Sequence, residues 1–384
     1  MAGLFRLAVC GLALAVAVSL GGPVPAGAAQ SSPKGKQALK ELVDKAKQEG
    51  GLDTATVTQV GPGVPKLVSA FNKRFGLNLE INMVLGDQAG KFAQLLTTLD
   101  AGGKPEFDSL AGSENDIIVT IEKGYLNKVP DWELLLAEVN PRVGAGAVKP
   151  GDVSPSVIGG YGFVWATRTK ALVYSTKLAS QNNVPKRIVD LADPKFKGKF
   201  TVAPWTDIFE QGLLYYKDKD KWLDTLDKIG KNAATVLKFE PALNRILLGE
   251  FPYTFMNSAE YLGVKDKDPK APIALHWFGD YTPMSFIMYV VPKGARHPAA
   301  ATLWSLWMTT TEAQEIVQKA SPQENLRFGQ SQIDSRSREE IKASGSKLIS
   351  YLDSPAALEK LQWWATPEGR QYRGKIKEAI TQRQ

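Results

Sequence analysis

TATVTQVGPGVPKLVSAFNKRFGLNLEINMVL, residues 54–85, decides the fold. Polar and apolar residues alternate from Thr54 to Val60, which is the period of a strand. After the GPG at 61–63, Val64, Leu67, Val68, Phe71 and Phe75 fall at helical spacing. Leu77, Leu79, Ile81, Met83 and Leu85 then alternate again, a second strand. Two strands joined through a helix run parallel, because only a crossover of that length returns the chain to the same edge.

Working outward, Leu39, Leu42, Val43 and Ala46 share one face of a helix over Gln37–Gln48, ended by Gly50 and Gly51. Phe92, Leu95, Leu96 and Leu99 mark another, closed by Gly102 and Gly103. PEFDSLAGS (105–113) reads as a short strand ending in small residues. The order βαβαβ predicts a mostly parallel sheet with helices on both faces. Residues 127–160 are rich in Gly and Pro and read as an irregular connection. A second α/β unit begins near Gly162, with ALVYSTK (171–177), a helix through Tyr215 and Trp222, and PYTFMNSAEYL (252–262). MSFIMYVV (284–291) is a continuous apolar run, as expected of a buried strand. Pro298 suits a helix start, TEAQ (311–314) spells a capping box, and Tyr372, Ile376 and Ile380 line a last helix.

Composition narrows the function. The chain has 384 residues, 43% hydrophobic and 23% charged, enough apolar material for two cores. Its formal charge of +7 is scattered among acids, as in KDKDK (217–221), with no basic stripe carrying aromatics, so no nucleic acid is expected. Met1–Arg6 carries one positive charge, Leu7–Leu20 is apolar, and Ala26-Gly27-Ala28-Ala29 offers small residues, the pattern of a signal peptide (1–29) cut after Ala28 or Ala29. Cys10, the single cysteine, lies inside it. An exported chain without disulfides must be held by its core. His276 and His297 are the two histidines, and His297, just before Pro298, reads as a helix cap. That is poor material for a zinc site or a Ser-His-Asp system, and no nucleophile-elbow or Walker spelling occurs. No catalytic residue, metal or cofactor is assigned.

What remains is a set of loops at strand carboxyl ends, where open α/β sheets bind their ligands. They are TQVGPG (58–63), AGSEND (111–116), APWTD (203–207), MNSAEY (256–261) and GDYTPMS (279–285). Trp205 and Tyr281 are candidates to stack on or wall a ligand, and Thr206, Asn257 and Ser258 to hydrogen-bond it. Asp207 and Glu260 would pair with a cationic part, while helix starts would suit an anion, so ligand charge stays open. Taken singly, Trp205 could be a core aromatic, Asp207 a cap, and Asp280 a turn former.

The segments KELVDKAKQEGG (40–51), LVSAFNKRFGLNLEI (67–81), YSTKL (174–178) with LADPKFKGKF (191–200), and VVPKGARHPAAATLWSLWMTTTEAQEIV (290–317) together resemble the extracellular solute-binding proteins of ABC importers. The resemblance is to the branch that includes ferric-iron, thiamine, polyamine and phosphonate binders. It implies a type II periplasmic-binding-protein fold, two α/β lobes joined by hinge strands with the ligand in the cleft between them. It implies lobe one at 30–159 plus 284–335 and lobe two at 160–283 plus 336–384. It further implies a monomeric periplasmic receptor that closes on a small organic solute and delivers it to a membrane permease, with no chemistry. Iron-binding members carry adjacent tyrosines where this chain has Ser258 and Ala259, and some carry a histidine near the position of Val60. The resemblance therefore carries over no metal ligand, and an iron receptor is the rival reading. A two-lobed exported enzyme such as a transferase, and a purely structural envelope protein, are the rivals of other classes.

Overall fold

The computed structural model describes residues 31–381. The leader expected at 1–29 and Cys10 lie outside them. Ten strands form the sheet: β1 (Gly51–Thr56), β2 (Glu80–Leu85), β3 (Ser109–Ser113), β4 (Gly162–Ser175), β5 (Phe200–Val202), β6 (Thr235–Val236), β7 (Tyr253–Asn257), β8 (Ile273–His276), β9 (Tyr281–Val290) and β10 (Lys347–Ile349). Their order is β2-β1-β3-β9-β4-β7-β5-β6, with β10 on β9 and β8 on β4. β1, β2 and β3 run parallel at one end, as do β5, β6 and β7 at the other.

The two long strands between them hold the halves together. β9 pairs antiparallel with β3 through Ile287–Val290. β4 pairs with β9 over Gly162–Thr169 and then changes partner to β7 over Lys170–Tyr174. Both are apolar almost throughout because both faces are covered. A mixed α/β sheet with two lobes and two strands crossing between them is the fold expected from the sequence.

The helices cover both ends. Val64–Phe75 packs Phe71 edge-on against Trp304 and Trp307, at ring separations of 5.1 and 5.4 Å. Helix Pro298–Trp307 also lies on Pro33–Glu49. At the far end, Pro367–Thr381 packs on Lys219–Asn232.

Local expectations shift at several points. The first strand is Gly51–Thr56, because Thr58–Gly63 winds into a 3₁₀ turn around Pro62. The single helix expected through Tyr215 and Trp222 is two, Asp207–Tyr215 and Lys219–Asn232, since Asp218 caps the second through the Lys221 N–H. Residues 127–160 contain helix Trp132–Val139, whose WELLLAEV is too short to show a period. The cap of helix Thr311–Ala320 is Thr310, one residue before the TEAQ box. His297 caps nothing with its ring, which instead meets Asp108 at 2.7 Å.

Candidate functional site

The partner change along β4 fixes the site. In register, Arg168 faces Ser285 of β9 and Lys170 faces Asn257 of β7. Residues two apart on a strand share a face. Arg168, Lys170, Ser285 and Asn257 therefore form the floor of a cleft of about 840 Å³ between the two ends of the sheet. Such a volume suits a small organic ligand.

The walls come from loops that leave strand carboxyl ends. One wall holds Gln59 after β1, Gln88 after β2, and Ser113, Asn115 and Asp116 after β3. The facing wall holds Pro204, Trp205, Thr206 and Asp207 after β5, and Asn257 at the end of β7. Helices Gln88–Asp100, Glu114–Glu122, Asp207–Tyr215 and Ser258–Lys267 each start at this cleft. Their positive dipole ends converge on it. The C-terminal region closes the remaining side with Tyr351, Trp364, Arg370, Arg373 and Lys377.

Charges are mostly paired within the walls. Lys170 forms an ion pair with Asp207, whose Oδ1 has no partner. Burial and then the Arg168 charge push the Lys170 ammonium down to about 7, against the opposing pull of Glu260 and Glu210. Arg373 Nε donates to Glu210 Oε2 at 2.9 Å, Thr206 Oγ1 donates to Glu210 Oε1 at 2.7 Å, and the Arg373 guanidinium lies 5.2 Å from the Trp364 ring. Trp364 Nε1 donates to the Tyr351 hydroxyl at 2.7 Å. Asp116 accepts from the Ser113 hydroxyl at 2.8 Å. Arg168 has no hydrogen bond or ion pair among the described residues, and burial lowers its pKa. Beneath the floor, burial raises the Glu114 carboxyl to about 7, against the Phe286 N–H it accepts at 2.8 Å.

The seven candidates from the sequence divide. Trp205, Thr206, Asp207 and Asn257 line the cleft together. Trp205 is 46% exposed and leans on Phe239, with ring centres 4.9 Å apart. Glu260 borders an adjoining hollow behind Trp205 and Phe239. It accepts from Asn257 Nδ2 at 3.1 Å, its other oxygen is unpartnered, and burial raises its pKa.

Ser258 and Tyr281 do not reach the cleft. Ser258 is buried against Thr169 and donates to Glu324, on the opposite face of β4. Tyr281 is fully buried because GDYTPMS is the start of β9 rather than a loop. Helix Asp207–Tyr215 covers its ring, and the hydroxyl donates to the Ile208 carbonyl at 2.9 Å. Gly212 permits this approach, since a Cβ there would lie 2.7 Å from that hydroxyl. Asp280 is buried too, accepting from the Ile188 N–H and the Tyr216 hydroxyl.

Sequence reasoning passed over Arg168 and Lys170, although two cations inside an otherwise buried strand were the available signal. It also passed over the C-terminal wall, where Arg370, Arg373 and Lys377 sit on a helix that looks merely amphipathic.

Away from the cleft, Asp53, Asp108 and His297 place one ligand atom each within 4.8 Å. Asp108 there accepts the Asp53, Arg296 and His297 backbone N–H groups, so it pins loop to strand. No helix among the described residues is long and apolar enough to cross a membrane.

Solved structures share this architecture. Iron-bound HitA from Pseudomonas aeruginosa superposes with a TM-score of 0.67 at 18% identity, covering 85% of this chain and 99% of that one. Ferric iron-binding protein A of Mannheimia haemolytica, in an open conformation, gives 0.61 at 16% identity, covering 85% and 96%. The PBP AgtB from A. tumefacien R10, in complex with agropinic acid, gives 0.59 at 13% identity, covering 85% and 98%. No curated protein matches the sequence. The family described as bacterial extracellular solute-binding protein matches residues 66–322, which include the cleft floor, and this chain belongs to that family.

Proposed function

We propose that this protein is the substrate-binding receptor of an ABC importer. It captures a small organic solute in the cleft, closes about β4 and β9, and hands the closed form to a membrane permease. The observation that carries this reading is the cleft floor, because Arg168 and Lys170 sit where β4 changes partner and so belong to the hinge and the site at once. The proposed lobes are 30–159 with 284–335 and 160–283 with 336–384. The helix packing at the two ends supports this division. We further propose export to the periplasm through residues 1–29, and action as a monomer.

Some of the similar structures are iron-binding proteins. An organic solute fits this cleft better. Ferric iron needs several hard anionic oxygens. Here Asp207 is engaged by Lys170, Glu210 by Arg373 and Thr206, and the Tyr351 oxygen by Trp364. Native mass spectrometry of the exported protein tests the reading. An organic adduct lost on denaturation supports it. An iron-sized adduct, with a visible charge-transfer band, overturns it in favour of iron, and release of a chemically altered ligand revives an enzyme.

A further inference from the structure

The proposed receptor function leaves the charge of its solute undetermined. Among the described residues lining the cleft, four cations besides Arg168 are accounted for. Lys170 holds Asp207, Arg373 holds Glu210, Arg370 donates to the Ala365 carbonyl, and Lys377 is exposed at the rim. Arg168 alone is drawn in from the rim, half-buried, and without a hydrogen bond or ion pair. Its nitrogens are not sealed off from solvent, and the side chain lines the cleft.

Burying a guanidinium without a partner is costly, and a molecule retains such a group when something else completes it. Two carboxylates act on Arg168 from a distance without touching it. Glu114 lies under the floor, spent on the Phe286 N–H, and Glu260 lies behind Asn257. Lys170, two residues along the same face, adds like charge. Helix Asp207–Tyr215 and helix Ser258–Lys267 both begin at this side of the cleft, and neither has a side chain capping its first N–H groups. A guanidinium fork beside free helix N–H groups is matched by a planar or tetrahedral oxyanion.

We propose that Arg168 seats the oxyanion of the transported solute, so that the solute is an organic acid bearing a carboxylate, phosphonate or phosphate ester. Its organic part would then lie toward Trp205, the exposed aromatic of the same wall. This proposal rests on the receptor reading and refines it.

The test pairs binding with apo stability. The exported protein is screened by thermal shift and calorimetry against succinate, glutamate, ethylphosphonate, glycerol 3-phosphate, 1,4-diaminobutane and glucose. R168Q and R168K are measured beside it. The expected result is binding of at least one acid, which R168Q weakens at least 30-fold and R168K, keeping the charge without the fork, weakens less. Carboxylates against phosphonate and phosphate then distinguish the two head groups. Apo R168Q should melt at or above the wild-type midpoint, because it loses an unpaired, half-buried charge. Binding of diaminobutane or glucose with a less than threefold change in R168Q overturns the proposal and leaves the receptor standing. So does a clear fall in the apo R168Q midpoint, which would make Arg168 a structural partner of Glu114 and Glu260. Binding of none of the six by wild type counts against receptor and proposal together.

Discussion

The Ser258 hydroxyl donates to the carboxylate of Glu324, a residue 66 positions further along the chain. Both are buried, and Glu324 also accepts from Thr169 Oγ1 at 2.9 Å and Ser337 Oγ at 2.6 Å. The cluster ties β4, the start of helix Ser258–Lys267 and helix Gln332–Ala343 behind the cleft floor. Removing one donor from a buried carboxylate leaves it under-solvated. Ser258→Ala should therefore cost about 1–3 kcal/mol, read as a lower urea midpoint. Affinity for the bound solute should stay within twofold. A tenfold loss of affinity at unchanged stability would return Ser258 to the binding set.

Glu114 sets a pH dependence. Burial raises its carboxyl from 4.5 to about 7. The folded state therefore holds a proton that the unfolded state has released, and stability falls as pH rises between those values. A shift of that size corresponds to on the order of 3 kcal/mol. Glu114→Gln should lose this slope, so wild type weakens relative to the variant between pH 5 and pH 8. Parallel curves for the two proteins would show that Glu114 titrates normally.

Trp205 stands 46% exposed at the cleft, with Phe239 as its ring neighbour among the described residues. A large exposed aromatic carries little of the fold, so Trp205→Ala should cost less than about 1 kcal/mol. Solute affinity should fall at least tenfold, because stacked aromatics dominate such contacts. Calorimetry with the solute found by mass spectrometry decides it. A large fall in stability with affinity retained would make Trp205 a support for Phe239.

The sheet was legible because its strands and helices announce themselves by period, from β1 through helix Val64–Phe75 to β2. The cleft loops were legible for a topological reason, since the carboxyl ends of parallel strands gather at one edge. What stayed hidden depends on which way a side chain points. Tyr281 looked like a loop aromatic, and only the placement of helix Asp207–Tyr215 over β9 shows it buried. Ser258 sits beside Asn257 in sequence, yet the two residues face opposite sides of β4. Arg168 and Lys170 stayed hidden because the alternation TRTK shows that they share a face but not that this face is the cleft floor. The C-terminal wall was hidden by distance, because Arg373 reaches Glu210 across 163 residues of chain.

That wall makes the last prediction. Helix Pro367–Thr381 lies directly on helix Lys219–Asn232, and at Gly230 the two backbones nearly touch. A Cβ at Gly230 would stand 1.9 Å from the Ala379 carbonyl oxygen, which is backbone and cannot swing aside. Gly230→Ala must therefore push the two helices apart, at a cost of about 1–3 kcal/mol for overpacking. Lifting the helix also moves Arg373 off Glu210 and the Trp364 ring, so one side of the cleft loosens. Hydrogen exchange should show early loss of protection across 367–381 while the strands stay protected. Solute affinity should weaken along with it. Unchanged exchange in that segment together with unchanged affinity would mean that the helix pair absorbs the methyl without displacing Arg373.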